Sequence, residues 1–273
     1  MAPGVSQKRP GGENGGEHDS TDFGFRQVRR GEKAHLVRAV FDGVAGRYDL
    51  MNDLMSLGLH RLWKRALIDW LAPRPGMTLI DVAGGTGDVA SLFLKCCARQ
   101  AGKQRAPATA TRAIVCDVNR AMIAVGRDRA LDRGVTHGIE WVCGDAEALP
   151  VPDGAADAYT IAFGLRNVTD KAAALSEARR VLRPGGRFLC LEFSHVVLPL
   201  LEQWYERYSF EVLPALGRVV TGQGDAYRYL AESIQRFPDQ DSLAEMMRAT
   251  GLARVSYRNL TGGIAALHSA WRL

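Results

Sequence analysis

An acidic residue at the end of an apolar run is followed by a glycine-rich turn, and this is the part of the chain best suited to chemistry. Asp81 is followed by Gly84, Gly85, Thr86 and Gly87. Glycine adopts positive φ readily and lets the backbone approach a ligand, while the start of the next helix offers free N–H groups. The pattern predicts a nucleotide-like cofactor at the carboxyl end of the first strand of a doubly wound sheet.

Two cofactors fit this turn. Residues Gly85–Ala90 match the dinucleotide pattern G-x-G-x-x-A, which is typical of NAD oxidoreductases. Residues Asp81–Gly87 also match the acid-x-x-x-Gly-x-Gly pattern of class I methyltransferases that use S-adenosylmethionine (SAM). About eighty residues precede the turn, whereas NAD-binding turns usually lie near the start of a domain. This position favours SAM.

Acids also follow the next two apolar runs. Asp117 ends the second run, where a carboxylate accepts hydrogen bonds from both ribose hydroxyls. Asp145 and Ala146 follow the third run, beside the expected adenine slot. Asp81 is expected near the cationic sulfonium and amino group of the cofactor. Acids after three successive strands favour SAM further.

The elements that position these residues alternate along the chain. The pattern predicts strands at Thr78–Val82, Ala113–Cys116, Ile139–Val142, Ala156–Ala162, Arg187–Phe193, Ala253–Arg258 and Gly263–Trp271. It predicts helices at Glu32–Val44, Leu59–Leu71, Val89–Cys97, Lys171–Val181, Val196–Leu216 and Asp241–Thr250, the last with Ser242 and Glu245 at capping-box spacing. This alternation predicts an α/β fold with a doubly wound, mostly parallel, seven-stranded sheet.

Composition favours one enzyme-sized domain. The chain has 273 residues, 47% of them hydrophobic, and no apolar run nears the ~18 residues of a membrane span. Residues 1–22 are rich in Gly and Glu, so we expect a disordered tail before a domain at 23–273. Residues 23–72 would form a helical N-terminal cap, and 196–240 a helical substrate cap after strand five.

The net charge of +5 comes mainly from one segment. Arg99, Lys103, Arg105 and Arg112 fall there without an acid, in an expected loop between the first helix and the second strand. A solvated loop and contact with anionic lipid headgroups are the two interpretations, and no nucleic-acid partner is expected. The acidic N-terminus has no apolar signal region, so we expect a cytoplasmic protein, or one held peripherally at the inner face of the membrane.

Five cysteines have no metal-ligand spacing and are interpreted as reduced thiols, mostly in the core. They are Cys96, Cys97, Cys116, Cys143 and Cys190.

Long segments resemble the ubiquinone/menaquinone biosynthesis C-methyltransferases. Tyr48–Trp63 is similar to the first signature of that family, and Arg180–Ser194 to the second, except that Arg183 replaces a usual Lys. Phe163–Asp170 and Leu260–His268 also fit. The likeness covers roughly Phe23 to Leu273, apart from the basic segment.

The resemblance implies methyl transfer from SAM to a ring carbon of a polyprenylated benzoquinol or naphthoquinol, with no metal. A deprotonated quinol hydroxyl would push electron density onto the neighbouring carbon, which attacks the methyl group in line. The enzyme must hold both atoms in near-attack geometry and stabilise the phenolate. In this family a Ser near the cofactor is common where this chain has Ala162.

Candidate substrate-side residues lie just after strand four and within the N-terminal signature. Arg166 and Asn167 are expected to face the cofactor methyl, with Arg166 stabilising a phenolate. The remaining candidates have separate roles. Tyr48, Asn52 and His60 would cap the pocket; Asp145, His60, His195 or a water would accept the proton; and Trp204, Tyr205, Tyr208 and Phe210 would line a prenyl channel or simply pack in the core.

Other functions stay open at the level of sequence. A SAM methyltransferase acting on another small apolar or phenolic acceptor, such as a sterol, is the alternative enzyme, and an NAD oxidoreductase is the alternative class. A homodimer, or a role in organising a quinone-biosynthesis complex, is a further expectation about partners. Cofactor binding distinguishes a SAM methyltransferase from an NAD oxidoreductase, because the SAM enzyme would not bind NAD.

Overall fold

An N-terminal hairpin and three helices precede the central sheet. The computed structural model describes residues 20–44, 48–104, 111–197, 205, 207–212, 214–215, 218 and 224–273. The first elements are β1 (Ser20–Phe23), β2 (Arg26–Arg29), α1 (Arg30–Val44), α2 (Tyr48–Ser56) and α3 (His60–Leu71). Helix α3 ends where Ala72 adopts a left-handed conformation just before Pro73.

The sheet and its crossover helices follow. They are β3 (Thr78–Val82), α4 (Asp88–Gln104), β4 (Arg112–Asp117), α5 (Arg120–Asp132), β5 (Ile139–Cys143), β6 (Ala156–Ala162), α6 (Lys171–Val181), β7 (Leu182–Phe193), α7 (Gly224–Gln235), α8 (Gln240–Ala249), β8 (Ala253–Leu260) and β9 (Ala265–Trp271). A 3-10 turn at Leu165–Asn167 follows β6, and a π-helical turn covers Tyr208–Val212.

The seven strands lie in the order β5-β4-β3-β6-β7-β9-β8, with β9 antiparallel to both neighbours and the other pairings parallel. This confirms the predicted fold class. The chain leaves β3 toward β4 on one side and later returns to β6 on the other, so β3 and β6 flank the switch point where α/β sheets bind ligands.

Two apolar clusters cover the two faces of the sheet. Side chains of β3 alternate between them, with Leu79 in one cluster and Ile80 in the other, and both are fully buried. The first cluster includes Leu67 of α3 and Phe93 of α4; the second includes Leu175 of α6 and residues of α8. Burial on both faces holds the strand ends, and thus the turns that follow them, in fixed positions.

Several predicted boundaries are wrong, and each error has a local cause. Helix α4 continues to Gln104, so Arg99 lies on a helix rather than in a loop. Helix α8 is capped by Asp239, which accepts a hydrogen bond from the Ser242 N–H at 2.8 Å, so Ser242 is not the cap residue.

The ends of two predicted segments also differ. Residues 20–22 belong to β1 rather than to a disordered tail, and residues 1–19 of that tail lie outside the described residues. Residues 198–204, 206, 213 and 216 of the predicted helix at 196–216 also lie outside them. Of the described residues in this range, 196 and 197 are not helical, whereas 205, 207–212 and 214–215 are. Within the described part of the chain, no helix is both long and apolar enough to cross a membrane.

Candidate active site

The turn between β3 and α4 is packed so closely that side chains would not fit. A Cβ on Gly84 would lie 2.8 Å from the Asp81 carbonyl oxygen and from a Val115 methyl. Gly87 has φ of +75°, and a Cβ there would lie 2.7 Å from the Trp141 ring. Only glycine satisfies both positions, which brings the backbone of this turn against the ends of β3 and β4.

A cleft opens at the carboxyl edge of the sheet beside this turn. It holds about 850 Å³ of empty space, including its solvent-open mouth. The turns after β3, β4, β5 and β6 line it, and α1 contributes one wall. Its lining includes the predicted residues Gly85, Asp117, Asp145, Ala146 and Asn167. The acid that ends β4 and the acid that follows β5 therefore meet the glycine turn in one cavity, as the sequence predicts.

Asp117 organises the floor of this cleft. Its Oδ2 accepts a hydrogen bond from the Gly85 N–H at 2.9 Å, and its Oδ1 accepts one from the Asn119 N–H at 2.8 Å. Asn119 in turn caps α5, accepting from the N–H groups of Ala121 and Met122. Burial raises the pKa of Asp117, although these N–H groups oppose the shift. The carboxylate is thus fixed in place, with further lone pairs available to ligand hydroxyls.

Asp145 is exposed in the cleft, next to the buried Ala146. Its Oδ1 accepts from the Glu147 N–H at 2.9 Å. Glu147 itself ties two loops together, because its Oε1 accepts from the N–H groups of Thr169 and Asp170, each at 2.9 Å. Glu147 was not predicted from the sequence, although a second acid directly after Asp145-Ala146 was visible there.

Asp81 lies beneath the glycine turn rather than in the cleft lining. It is 1% exposed, and its Oδ1 accepts from the Thr160 hydroxyl at 2.7 Å. Its Oδ2 is buried and has no hydrogen-bond partner among the described residues. Burial raises the pKa of this carboxyl to about 7. An orphaned carboxylate oxygen beside a nucleotide-sized cleft fits a cationic ligand group, and so fits SAM.

Gly84, Thr86 and Gly87 shape the turn without lining the main cleft. Thr86 is buried, and the Gly87 N–H donates to the Gly84 carbonyl at 2.9 Å. Gly126 of α5 was not singled out from the sequence, yet a Cβ there would lie 2.6 Å from Trp141 and 2.9 Å from the Thr86 Cα. These contacts hold the turn against α5.

Arg166 does not line the cleft, which corrects the expectation that it faces the cofactor methyl. Its guanidinium is buried and paired with Glu192, with 2.6 Å between Nη1 and Oε1. The same Nη1 donates to the Phe163 carbonyl at 2.7 Å. Burial raises the pKa of Glu192, and the charge of Arg166 opposes that shift. An acid inside the apolar run of β7 was the sequence signal for a buried charged partner.

Asn167, the next residue, does line the cleft. Its Oδ1 accepts a hydrogen bond from the Tyr229 hydroxyl at 3.1 Å, and the Tyr229 ring stacks on Phe23 with 4.2 Å between centroids. Because its oxygen is bound, the amide has its Nδ2–H groups left to donate to a ligand. Tyr229 was not predicted, since it lies 62 residues further along the chain.

Two of the three predicted N-terminal cap residues, Asn52 and His60, do not line the cleft either. Asn52 and His60 are both 2% exposed. The Nδ1 of His60 lies 3.0 Å from the Ser56 hydroxyl and 3.5 Å from a carboxylate oxygen of Asp53, and burial lowers the pKa of His60. The side chain of Tyr48 lies outside the described residues.

A separate cavity of about 470 Å³ lies at the end of β7 against α7. Tyr205 and Phe210 line it, as does His195, whose Nε2 lies 2.9 Å from the Phe237 carbonyl oxygen. Tyr208 does not line this cavity; its hydroxyl donates to the Leu54 carbonyl at 2.7 Å. Trp204 lies outside the described residues. Of the three predicted side-chain proton acceptors, only Asp145 reaches the main cleft.

The cysteines differ in exposure. Cys143 is exposed at the end of β5, directly before Gly144 of the cleft lining. Burial raises the pKa of Cys97 to about 11 and of Cys116 to about 12, and raises that of Cys190 well above its ordinary value. Across the described residues, no group of three or more His, Cys, Asp and Glu side chains is arranged to hold a metal ion.

Solved structures share this architecture at low sequence identity. A methyltransferase from Haloferax volcanii, in complex with its activator Trm112, superposes with a TM-score of 0.58 at 16% identity, covering 85% of this chain and 97% of that one. A SAM-dependent methyltransferase from Thermotoga maritima superposes with a TM-score of 0.54 at 16% identity, covering 86% of this chain and all of that one. These matches show the fold of class I SAM methyltransferases.

Sequence relatives are much closer. The ubiquinone/menaquinone biosynthesis C-methyltransferase UbiE of Acidiphilium cryptum is 54% identical over 255 residues, covering 93% of this chain and 98% of the relative. The protein of the same name from Brucella abortus is 52% identical over 270 residues, covering 98% and 96%. The family model for ubiE/COQ5 methyltransferases matches residues 27–272. The chain therefore belongs to the ubiE/COQ5 methyltransferase family.

Proposed function

We propose that this chain methylates a ring carbon of a polyprenylated benzoquinol or naphthoquinol in ubiquinone or menaquinone biosynthesis. The observation that carries the proposal is identity of 52–54% to UbiE C-methyltransferases over nearly the whole chain. The cleft at the switch point supports it, since its acids and its glycine turn suit SAM. When bound, SAM supplies a methyl group on a positively charged sulfur.

Four elements of the site would hold the cofactor. Asp117 would accept the ribose hydroxyls, and Ala146 beside Asp145 would flank the adenine. The glycine turn, centred on Gly85, would contact the methionine part. Asp81 would face the cationic sulfur and amino group from below, where its free Oδ2 supports this role.

Asn167 would act on the acceptor. Its Nδ2 would donate a hydrogen bond to the quinol oxygen, and this bond strengthens as negative charge grows on that oxygen. Asp145 would receive the phenolic proton, directly or through a water. Arg166 would act from behind the turn, by fixing the backbone that carries Asn167, rather than by touching the phenolate.

The second cavity would receive the start of the prenyl tail. Its aromatic walls, Tyr205 and Phe210, and its apolar Ile234 suit an isoprenoid chain. The basic segment from Arg99 to Arg112 would meet anionic lipid, which places the enzyme where such substrates reside.

Methyl transfer from isotope-labelled SAM to a short-chain demethyl quinol tests the function directly. Label on a ring carbon, located by NMR, is the expected result, and label on oxygen would contradict it. A phenol and a sterol assayed in parallel test the alternative of another apolar acceptor. Quinone profiling of cells that lack this chain then names the head group, because the demethyl precursor accumulates.

Tyr229→Phe tests the role of Asn167 without changing Asn167 itself. Removing this hydroxyl frees the amide to rotate, so kcat should fall by about tenfold while SAM affinity stays unchanged. Tyr257→Phe, which removes a hydroxyl bonded to Asp241 at 3.0 Å on the surface, serves as the control. Equal kcat values in the two variants would exclude the positioning role.

A further inference from the structure

A small cavity borders the same 3-10 turn, next to the main cleft. It holds about 270 Å³ of empty space, including its mouth, and lies among the N-terminal hairpin, α1, α6 and α7. Four basic side chains line it: Lys33, Arg166, Lys171 and Arg236. We call it the basic pocket.

Positive charge exceeds negative charge in the basic pocket. Arg166 is neutralised by Glu192 at 2.6 Å, and Asp22 is the one acid in the described lining. Within the described part of the chain, Lys33, Lys171 and Arg236 have no carboxylate oxygen within 4.0 Å. The lining therefore holds three such cations against one acid, while Glu147 acts on Lys33 and Lys171 from outside the lining.

Part of this charge is buried. Lys33 is 2% exposed, and its Nζ donates to the Val168 carbonyl at 3.2 Å. Arg166 is 4% exposed, and its Nε is buried without a hydrogen-bond partner among the described residues. Buried donors and charges without partners are costly, so an anionic ligand with several acceptor oxygens would complete the arrangement.

We propose that the basic pocket binds a phosphate-class oxyanion. The excess of cations in the lining favours an anion, and arginine and lysine together are suited to phosphate oxygens. The empty space of about 270 Å³, which includes the mouth, suits a group of the size of one phosphate better than a nucleotide. Lys171 and Arg236 supply charge at the mouth, Lys33 supplies it inside, and the Nε–H of Arg166 donates to one oxygen. This site is separate from the proposed methyl-transfer cleft and does not depend on the identity of the acceptor.

Calorimetric titration of the full chain with inorganic phosphate at low ionic strength tests the proposal. We expect saturable binding that is about tenfold weaker in Lys171→Met and in Arg236→Met, because each loses a charge-assisted contact. Arg248→Met, which removes an exposed cation on α8, is the control and should bind as the unchanged protein does. No saturable binding, or an equal loss in the control, would overturn the proposal.

Proton uptake gives a second readout. Burial, aided by the charges of Lys171 and Arg30 and opposed by those of Asp22 and Glu147, lowers the pKa of Lys33 to about 8. A bound dianion favours protonated Lys33, so binding near this pH should take up protons, seen as a dependence of the enthalpy on buffer ionisation. Lys33→Met should abolish the uptake. Uptake that persists in this variant would remove Lys33 from the site.

Binding to lipid vesicles distinguishes the two sources of the oxyanion, a phospholipid headgroup and free phosphate. If a phospholipid headgroup fills the basic pocket, binding to phosphatidylglycerol vesicles should weaken in Lys171→Met and be reduced by added phosphate, with phosphatidylcholine vesicles as the reference. If free phosphate fills it, vesicle binding should be the same in both proteins. SAM affinity should not change in Lys171→Met, which keeps the outcome separate from the main cleft.

Discussion

The raised pKa of Asp81 predicts that the binding of a cationic cofactor depends on pH. The folded chain holds this proton more tightly than the unfolded chain, because burial raises the pKa from 3.8 to about 7. In the cofactor-free protein, the contribution of Asp81 to stability therefore falls as pH rises between these values and is constant above about 7. A cationic ligand reverses this preference, because it favours the ionised carboxylate.

SAM affinity should therefore increase with pH up to about 7 and then level off. Equilibrium binding measured across this range checks the prediction. Asp81→Asn should bind more weakly and lose most of this dependence, since the amide does not titrate. A slope that is the same in both proteins would assign the titration to another group.

Asp117→Ala should weaken SAM binding by ~30–150-fold, or roughly 2–3 kcal/mol. The ribose hydroxyls lose a charged acceptor, and the Gly85 N–H loses the oxygen that now lies 2.9 Å away. Calorimetric titration with SAM checks this, with the exposed Asp128→Ala as control. An unchanged dissociation constant would exclude Asp117 from the cofactor site.

The Arg166–Glu192 pair calls for a double variant. Arg166→Ala alone leaves a buried carboxylate without its partner, which should cost roughly 3–5 kcal/mol of unfolding free energy. The double variant Arg166→Met with Glu192→Gln removes both charges and should recover most of that stability while turnover stays low. Denaturant unfolding and methyl transfer on the same samples separate the two effects. Full turnover in the stable double variant would contradict any role in the reaction.

The meeting of Asp117, Asp145 and the glycine turn at one edge of the sheet was predictable, but the pairing of Arg166 was not. Asp117 and Asp145 end or follow apolar runs, and parallel strands bring such ends to one edge. Arg166 is different, because its partner Glu192 lies 26 residues away on another strand. The burial of Arg166 depends on this pairing with Glu192. The residues next to Arg166 in the sequence do not indicate the partner.

At the scale of elements, buried strands were predicted best. Thr78–Val82 and Ala156–Ala162 match β3 and β6 residue for residue, because both faces of these strands are covered and their apolar runs have abrupt ends. The helix cap at α8 was misplaced, because Asp239 and Ser242 both suit a cap. Only the backbone conformation distinguishes the two, with Asp239 extended.

The contact between α5 and the glycine turn predicts a long-range effect of Gly126→Ala. The added methyl would lie 2.6 Å from Trp141, so α5 or the ring must shift, at a cost of about 1–3 kcal/mol. The shift should reach Thr86 and weaken SAM binding. Thermal unfolding and calorimetry measure both effects.

Gly102→Ala is the matched control for this substitution. Gly102 lies in α4, and apart from its own helix no described residue has an atom within 4 Å of an added Cβ. Here alanine should stabilise the helix by about 0.5–1 kcal/mol and leave SAM binding unchanged. Equal affinities in the two variants would show that α5 does not support the turn.

At the scale of the whole molecule, the basic segment should affect membrane contact and not cofactor binding. It begins within α4, which carries Arg99 and Lys103, and ends at Arg112, the first residue of β4, whose opposite end carries Asp117. Replacing Arg99, Lys103, Arg105 and Arg112 with Gln should leave SAM affinity unchanged, but should reduce binding to anionic vesicles and its sensitivity to salt. Vesicle sedimentation at two salt concentrations checks this. Equal vesicle binding before and after would favour a solvated segment.

The unequal exposure of the cysteines makes one thiol a natural reporter of the cleft. Cys97, Cys116 and Cys190 are buried, and their raised pKa values keep them as unreactive thiols at neutral pH. Cys143 is exposed and directly precedes Gly144, which lines the cleft. A thiol-reactive dye would therefore attach beside the expected adenine slot, and its fluorescence would follow the filling and emptying of the site in real time without any change to the chain.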